Sequence, residues 1–96
     1  RAPSGVPSRL GHRDISRGVA PRMTAARACG RRYGVTGRVR IRLTVVGATG
    51  RVTHASSRGK LAAKPVGSCV ARALFRATFR RFSTARQSFY YTVVLR

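Results

Sequence analysis

The sequence predicts an α+β domain of order α-β-β-α-β, with two helices packed on one face of a three-stranded antiparallel sheet. Three observations predict it. Apolar residues recur at three- and four-residue spacing in two separate stretches, Ile15 to Cys29 and Val66 to Ala77. Arg38 to Val45 alternates polar and apolar without a fault, as a strand with one buried face does. The alternation returns from Ser88 to Arg96, after the second helical stretch.

Taken in order, residues 1–13 read as a flexible linker rich in Pro, Gly and Ser, and residues 14–96 as the folded domain. The start lacks both an initiator Met and the apolar core of a signal peptide, so the chain is expected to have been cut from a longer one. Ile15, Val19, Met23, Ala26 and Cys29 fall on one helix face, with Asp14 as the N-cap. Pro21 sits inside this pattern and has no backbone N–H to donate. Either a short turn precedes a helix that begins there, or a single helix is kinked. The helix should stop between Gly30 and Gly34.

In the first strand, Val39, Ile41, Leu43 and Val45 point one way and Arg38, Arg40, Arg42 and Thr44 the other. Gly47-Ala48-Thr49-Gly50 is a tight turn, and Arg51 to Ser57, which carries His54, returns as the second arm of a hairpin. A polar loop leads to Pro65, well placed in the first turn of a second helix. Val66, Val70, Ala73, Leu74 and Ala77 form its stripe, with Cys69 beside it and Arg80 and Arg81 near its end. In the last strand Phe89, Tyr91, Val93 and Leu95 face the helices, and Tyr90, Thr92 and Val94 the open side. Phe75 and Phe79 lie beside the main helical stripe, either widening the core or leaving a sticky ridge.

Charge narrows the function classes. There are 21 basic residues, of which only Lys60 and Lys64 are lysines, against one acid, Asp14, for a net +20. The hydrophobic share, 43%, is that of a globular fold and too high for a disordered basic tail. The wealth of Arg, Ala, Gly and Val also carries the imprint of GC-rich coding. No run approaches the ~18 apolar residues that span a bilayer. A single acid excludes carboxylate pairs and a Ser/His/Asp set, and His12 and His54 have no carboxylate partner in sequence. No catalytic residue and no cofactor are therefore expected. Cys29 and Cys69 are compatible with a disulfide, two buried thiols or a reactive pair; without a second pair, a zinc site is not expected. Arg38, Arg40 and Arg42, with Arg51 expected to face them, are either a solvated sheet face or a surface for an external anion. That anion would be lipid phosphate, peptidoglycan carboxylate or nucleic acid.

Gly37-Arg38-Val39-Arg40-Ile41-Arg42-Leu43-Thr44 followed by Gly50-Arg51-Val52-x-x-Ala55 resembles the hairpin of the TonB C-terminal domain family. Gly67-Ser68-Cys69-Val70-Ala71-Arg72-Ala73-Leu74 is similar to that family's second helix. Phe79-x-x-Phe82 and Tyr91-x-Val93 resemble the approach to its last strand. The resemblance spans roughly residues 14–96 and is nearest to the TonB-like domains of myxobacterial envelope and motility proteins. Those carry a cysteine near the end of helix one and another at the start of helix two, the places of Cys29 and Cys69; an envelope location favours the disulfide. Pro21, Arg80 and Thr92 depart from the family pattern, the last adding a backbone donor where proline is frequent.

The resemblance implies two helices on a three-stranded antiparallel sheet and a non-enzymatic adaptor in the periplasm, tethered by an N-terminal anchor. The partner would be an extended segment of an outer-membrane receptor or an envelope or motility protein, added as a strand along Ser88 to Leu95. Ser88, Tyr90, Thr92 and Val94 would line the binding edge, with Tyr90, Thr92 and Val94 setting specificity, and edge pairing makes a homodimer an option. The alternative is a small basic domain that binds nucleic acid, or a structural polyanion, on its arginine-lined sheet face.

Overall fold

The computed structural model describes residues 7–95. The chain runs α1 (His12–Val19), a 3-10 turn (Ala20–Arg22), α2 (Met23–Tyr33), β1 (Gly37–Val46), β2 (Val52–Arg58), α3 (Pro65–Phe75) and β3 (Arg86–Leu95). The strands form one antiparallel sheet in the order β2-β1-β3, so the first strand is central and both others are edges. The expected α-β-β-α-β order and antiparallel sheet are those observed.

Pro21 divides the first helical stretch. Proline has no N–H with which to continue the α-helical ladder, so the chain tightens into the 3-10 turn at Ala20–Arg22 and restarts as α2 at Met23. Gly34 ends α2 in the left-handed conformation (φ 64°), and the Val35 N–H reaches back to the Gly30 carbonyl at 2.9 Å. Pro65 opens α3, as its fixed φ and missing donor suit a first turn.

Three expectations are corrected in detail. The folded part begins before Asp14: Leu10 is buried in the core, and the Gln87 side chain binds both its N–H (2.8 Å) and its carbonyl (3.1 Å). Pro7 and Ser8 accept bonds from the Ser83 and Thr84 amides; residues 1–6 of the expected linker lie outside the described residues. Asp14 is not the N-cap. Gly11 holds that place, and Asp14 stands three residues on, its carboxylate accepting the Gly11 N–H at 3.0 Å. Finally, α3 ends at Phe75, well before Arg80 and Arg81. There the chain turns to bridge Thr78 to Arg51 and to sink Phe79 into the core, where its ring meets Phe89 edge-on at 5.8 Å.

α2 and α3 cover the same sheet face. Val39, Ile41, Leu43 and Val45 of β1, completely buried, meet Val66, Val70 and Leu74 of α3, and Val93 and Leu95 of β3 close the core beside Ala26. A disulfide joins Cys29 of α2 to Cys69 of α3 with Cα atoms 5.8 Å apart, which locks the two helices to one another. The loop from Thr78 to Ala85 crosses the end of the β1–β2 hairpin: Phe79 and Phe82 donate to the Gly50 and Gly47 carbonyls, and Gly47 donates to Ala85. Among the described residues, the opposite sheet face carries no helix.

Candidate functional site: the open sheet face and its outer edge

Alternation fixes what the open face presents. In the register between β1 and β3, Arg38 stands opposite Val94, Arg40 opposite Thr92, Arg42 opposite Tyr90 and Thr44 opposite Ser88. The two sets of residues singled out from sequence, the arginine row and the alternate positions of the last strand, therefore form one continuous surface. Tyr90 and Val94 are its exposed apolar members, and Thr44 and Ser88 share a hydrogen bond of 2.9 Å at its far end.

Arg51 does not extend this row. The bulge between Thr44 and Val45 ends the regular ladder before it, and Arg51 instead bridges Thr78 and lines a groove with Arg22, Phe75 and Arg76. Two other arginines take the place expected of it. Arg58 lies directly opposite Arg40 on β2, and Arg86 opposite Val46 on β3. Each lies just outside the strand limits predicted from sequence, one residue past Ser57 and two before Ser88. Carrying the alternation of the last strand outward would have found Arg86, whereas Arg58 joins the open face through the same bulge that takes Arg51 off it.

Like charges directly opposed across a pair of strands destabilise it, and Arg40 and Arg58 are such a pair. Arg40 turns its guanidinium the other way, over the Tyr90 ring at 4.3 Å from the centroid. That contact is worth ~0.5–1 kcal/mol at an exposed site and places a cation above β3, the outer strand. The sole side-chain carboxylate cannot balance the face. Asp14 is on α1, bonded to the Gly11 amide and to Arg80 at 3.4 Å. The Gly11 bond first, then Arg80 and Arg17, hold its carboxyl below the ordinary value of 3.8, with partial burial opposing them.

Among the described residues, no strand pairs with β3 on the side away from β1. Every second residue along it therefore turns its N–H and C=O outward without a strand to receive them. Pro7 to Leu10 cover only the approach to this edge, at Ser83 to Gln87, and leave Ser88 to Leu95 open. The histidines are not brought into a reactive set: His12 opens α1, and His54 on β2 contacts Thr53. No family model matches the chain, and no curated protein or solved structure does either.

Proposed function

We propose that this domain is a non-enzymatic adaptor that binds an extended segment of a partner protein by adding it as a fourth strand to β3. The observation that carries the reading is the ten-residue edge strand, unpaired on its outer side among the described residues and bordered on one face by Tyr90, Thr92 and Val94. Backbone bonds along such an edge supply affinity, and side chains at alternate positions select the sequence. The Cys29–Cys69 disulfide fits an oxidising compartment, which supports the periplasmic or envelope setting that the TonB-like resemblance implies. In that setting the partner is an outer-membrane or motility protein, and the domain is tethered through an N-terminal anchor.

A nuclear magnetic resonance titration with an extended peptide of alternating Glu and Val tests it. Outward amides of Ser88 to Leu95 should shift and gain exchange protection at every second residue, and the same peptide interrupted by proline should not bind. Shifts confined to β1 and β2, with β3 unchanged, overturn the reading. Protection that appears without peptide and rises with protein concentration reports self-pairing of this edge instead.

A second reading rests on Arg40 and Arg58, which face each other with Arg38 and Arg42 alongside. An external polyanion such as nucleic acid would relieve that repulsion. Binding that persists at physiological salt, with a log–log salt slope near −0.9 per phosphate contact, supports it. Binding lost by ~150 mM salt reduces it to nonspecific attraction.

A further inference from the structure

The helix side of the molecule carries a second basic cluster, unrelated to the β3 edge and the arginine face. Along α3, Ser68, Arg72, Phe75 and Arg76 follow one another at spacings that place them on one stripe of the helix. That stripe looks away from the core, for Val66, Val70, Ala73 and Leu74 fill the buried one. Phe75 keeps 47% of its surface exposed, although an apolar ring of that size gains from burial.

Three shallow grooves meet at Phe75. One runs between α2 and α3 past the disulfide and is lined by Arg22, Arg32, Arg72 and Arg76. The second, towards the β1–β2 hairpin, is lined by Arg22, Arg51 and Arg76. The third separates α3 from β2 and has Arg72 on its wall. Arg22 is anchored in the cluster, its Nε donating to the Ala73 carbonyl at 3.1 Å. Five arginines thus surround one exposed phenylalanine, and the chain's sole side-chain carboxylate, Asp14, is engaged with Gly11 and Arg80.

We propose that this face docks on an anionic lipid bilayer, with Phe75 entering the headgroup layer and Arg22, Arg51, Arg72 and Arg76 pairing with lipid phosphates. The chemistry fits in both parts. A guanidinium fork matches phosphate oxygens, and its alkyl stem lies along apolar surface. Each basic residue near a charged leaflet contributes ~1 kcal/mol, while an apolar ring at the boundary adds the short-range anchor. A single-stranded nucleic acid would instead follow a track of cations with successive stacking platforms; here the cations encircle one ring. Because the helices and the open face lie on opposite sides of the sheet, bilayer docking leaves the β3 edge accessible. The two readings stand or fall separately.

The test is sedimentation with large vesicles of phosphatidylcholine, with and without phosphatidylglycerol, at physiological salt. The wild-type protein should pellet with the anionic vesicles and stay in solution with the neutral ones. Arg72→Gln/Arg76→Gln should weaken binding roughly 25-fold, about fivefold for each charge, and Phe75→Ser roughly fivefold. Arg40→Gln/Arg42→Gln, which removes the same charge from the opposite face, should cost much less, because the Debye length is about 8 Å at that salt. A Phe75→Trp variant reads the contact directly: its emission should shift to the blue on anionic vesicles and be quenched by brominated lipid. Equal losses from both arginine pairs, or Trp emission unchanged on bound vesicles, overturn the proposal. So does a single-stranded oligonucleotide whose binding the Phe75 and Arg72/Arg76 changes abolish while vesicle binding survives them.

Discussion

The Arg40 guanidinium lies over the Tyr90 ring, 4.3 Å from its centroid, although the residue directly across from Tyr90 is Arg42. Arg40 reaches diagonally towards β3 while its β2 neighbour in register is Arg58, a like charge. A double-mutant cycle on Arg40→Ala and Tyr90→Ala should give a coupling of ~0.5–1 kcal/mol in urea unfolding. Arg58→Glu should raise the urea midpoint, by an amount worth a few tenths of a kcal/mol, and reduce that coupling, because Arg40 then has an ion-pair partner on the other side. A coupling near zero would show that the diagonal contact carries no energy.

The disulfide closes a loop of 40 residues between α2 and α3. In the chain-entropy account a loop of that size stabilises by about 4 kcal/mol, a large share of what a small domain has. Thermal unfolding with and without reductant, and of Cys29→Ser/Cys69→Ser, should show the loss. Coincident oxidised and reduced transitions would mean that packing of Val66, Val70 and Leu74 alone holds α3 in place.

Phe79 is hemmed in from two sides. A Cβ at Gly18 would overlap its ring, and one at Gly50, where φ is +72°, would overlap its carbonyl oxygen. Gly18→Ala and Gly50→Ala should each destabilise by ~1–3 kcal/mol, Gly50 doubly so because its backbone also disfavours an L side chain. Thr49→Ala in the same turn is the comparison, expected to cost under ~1 kcal/mol for its bond to the Arg51 amide. Similar midpoints for Gly50→Ala and Thr49→Ala would contradict the packing argument.

What could be read from sequence divides along a physical line. Period-2 and period-3.6 patterns are local, so β1, the hairpin, α3 and the side taken by Val93 and Leu95 were legible. So was the union of the arginine row with Tyr90, Thr92 and Val94 on one side, since each faced away from its own apolar set. Contacts between distant segments were not legible. Nothing local says that Gln87 will clasp the Leu10 backbone, and a Pro- and Ser-rich start therefore reads as linker up to the helix. The drift of Arg51 off the face depends on the bulge after Thr44, which only pairing reveals. Phe79 reads as lying beside the α3 stripe, with core and exposed ridge both open to it; it is buried because the chain leaves the helix at Phe75 and folds over the hairpin. Phe75, left exposed by the same turn, becomes the centre of the helix-side cluster.

Asp14 gives the fold an unusual response to acid. Most domains lose stability over a broad range as many carboxylates take up protons, but here Asp14 is the sole side-chain carboxylate. Its carboxyl is held below 3.8 by the Gly11 amide and then by Arg80 and Arg17. The unfolded chain therefore binds this proton more readily than the folded one. The stabilisation is fully present above 3.8 and is lost only as the pH falls through the depressed value. Its size at neutral pH should be that of an N-terminal helix contact, ~0.5–1 kcal/mol, with the exposed Arg80 pair adding little. Urea midpoints of wild type and Asp14→Asn should differ by that amount at neutral pH and converge once the pH falls below the depressed value, where the wild-type carboxyl is also neutral. Midpoints that differ equally at both values would assign the effect to packing or hydrogen-bond geometry, and a difference that grows on acidification would reverse the sign of the linkage.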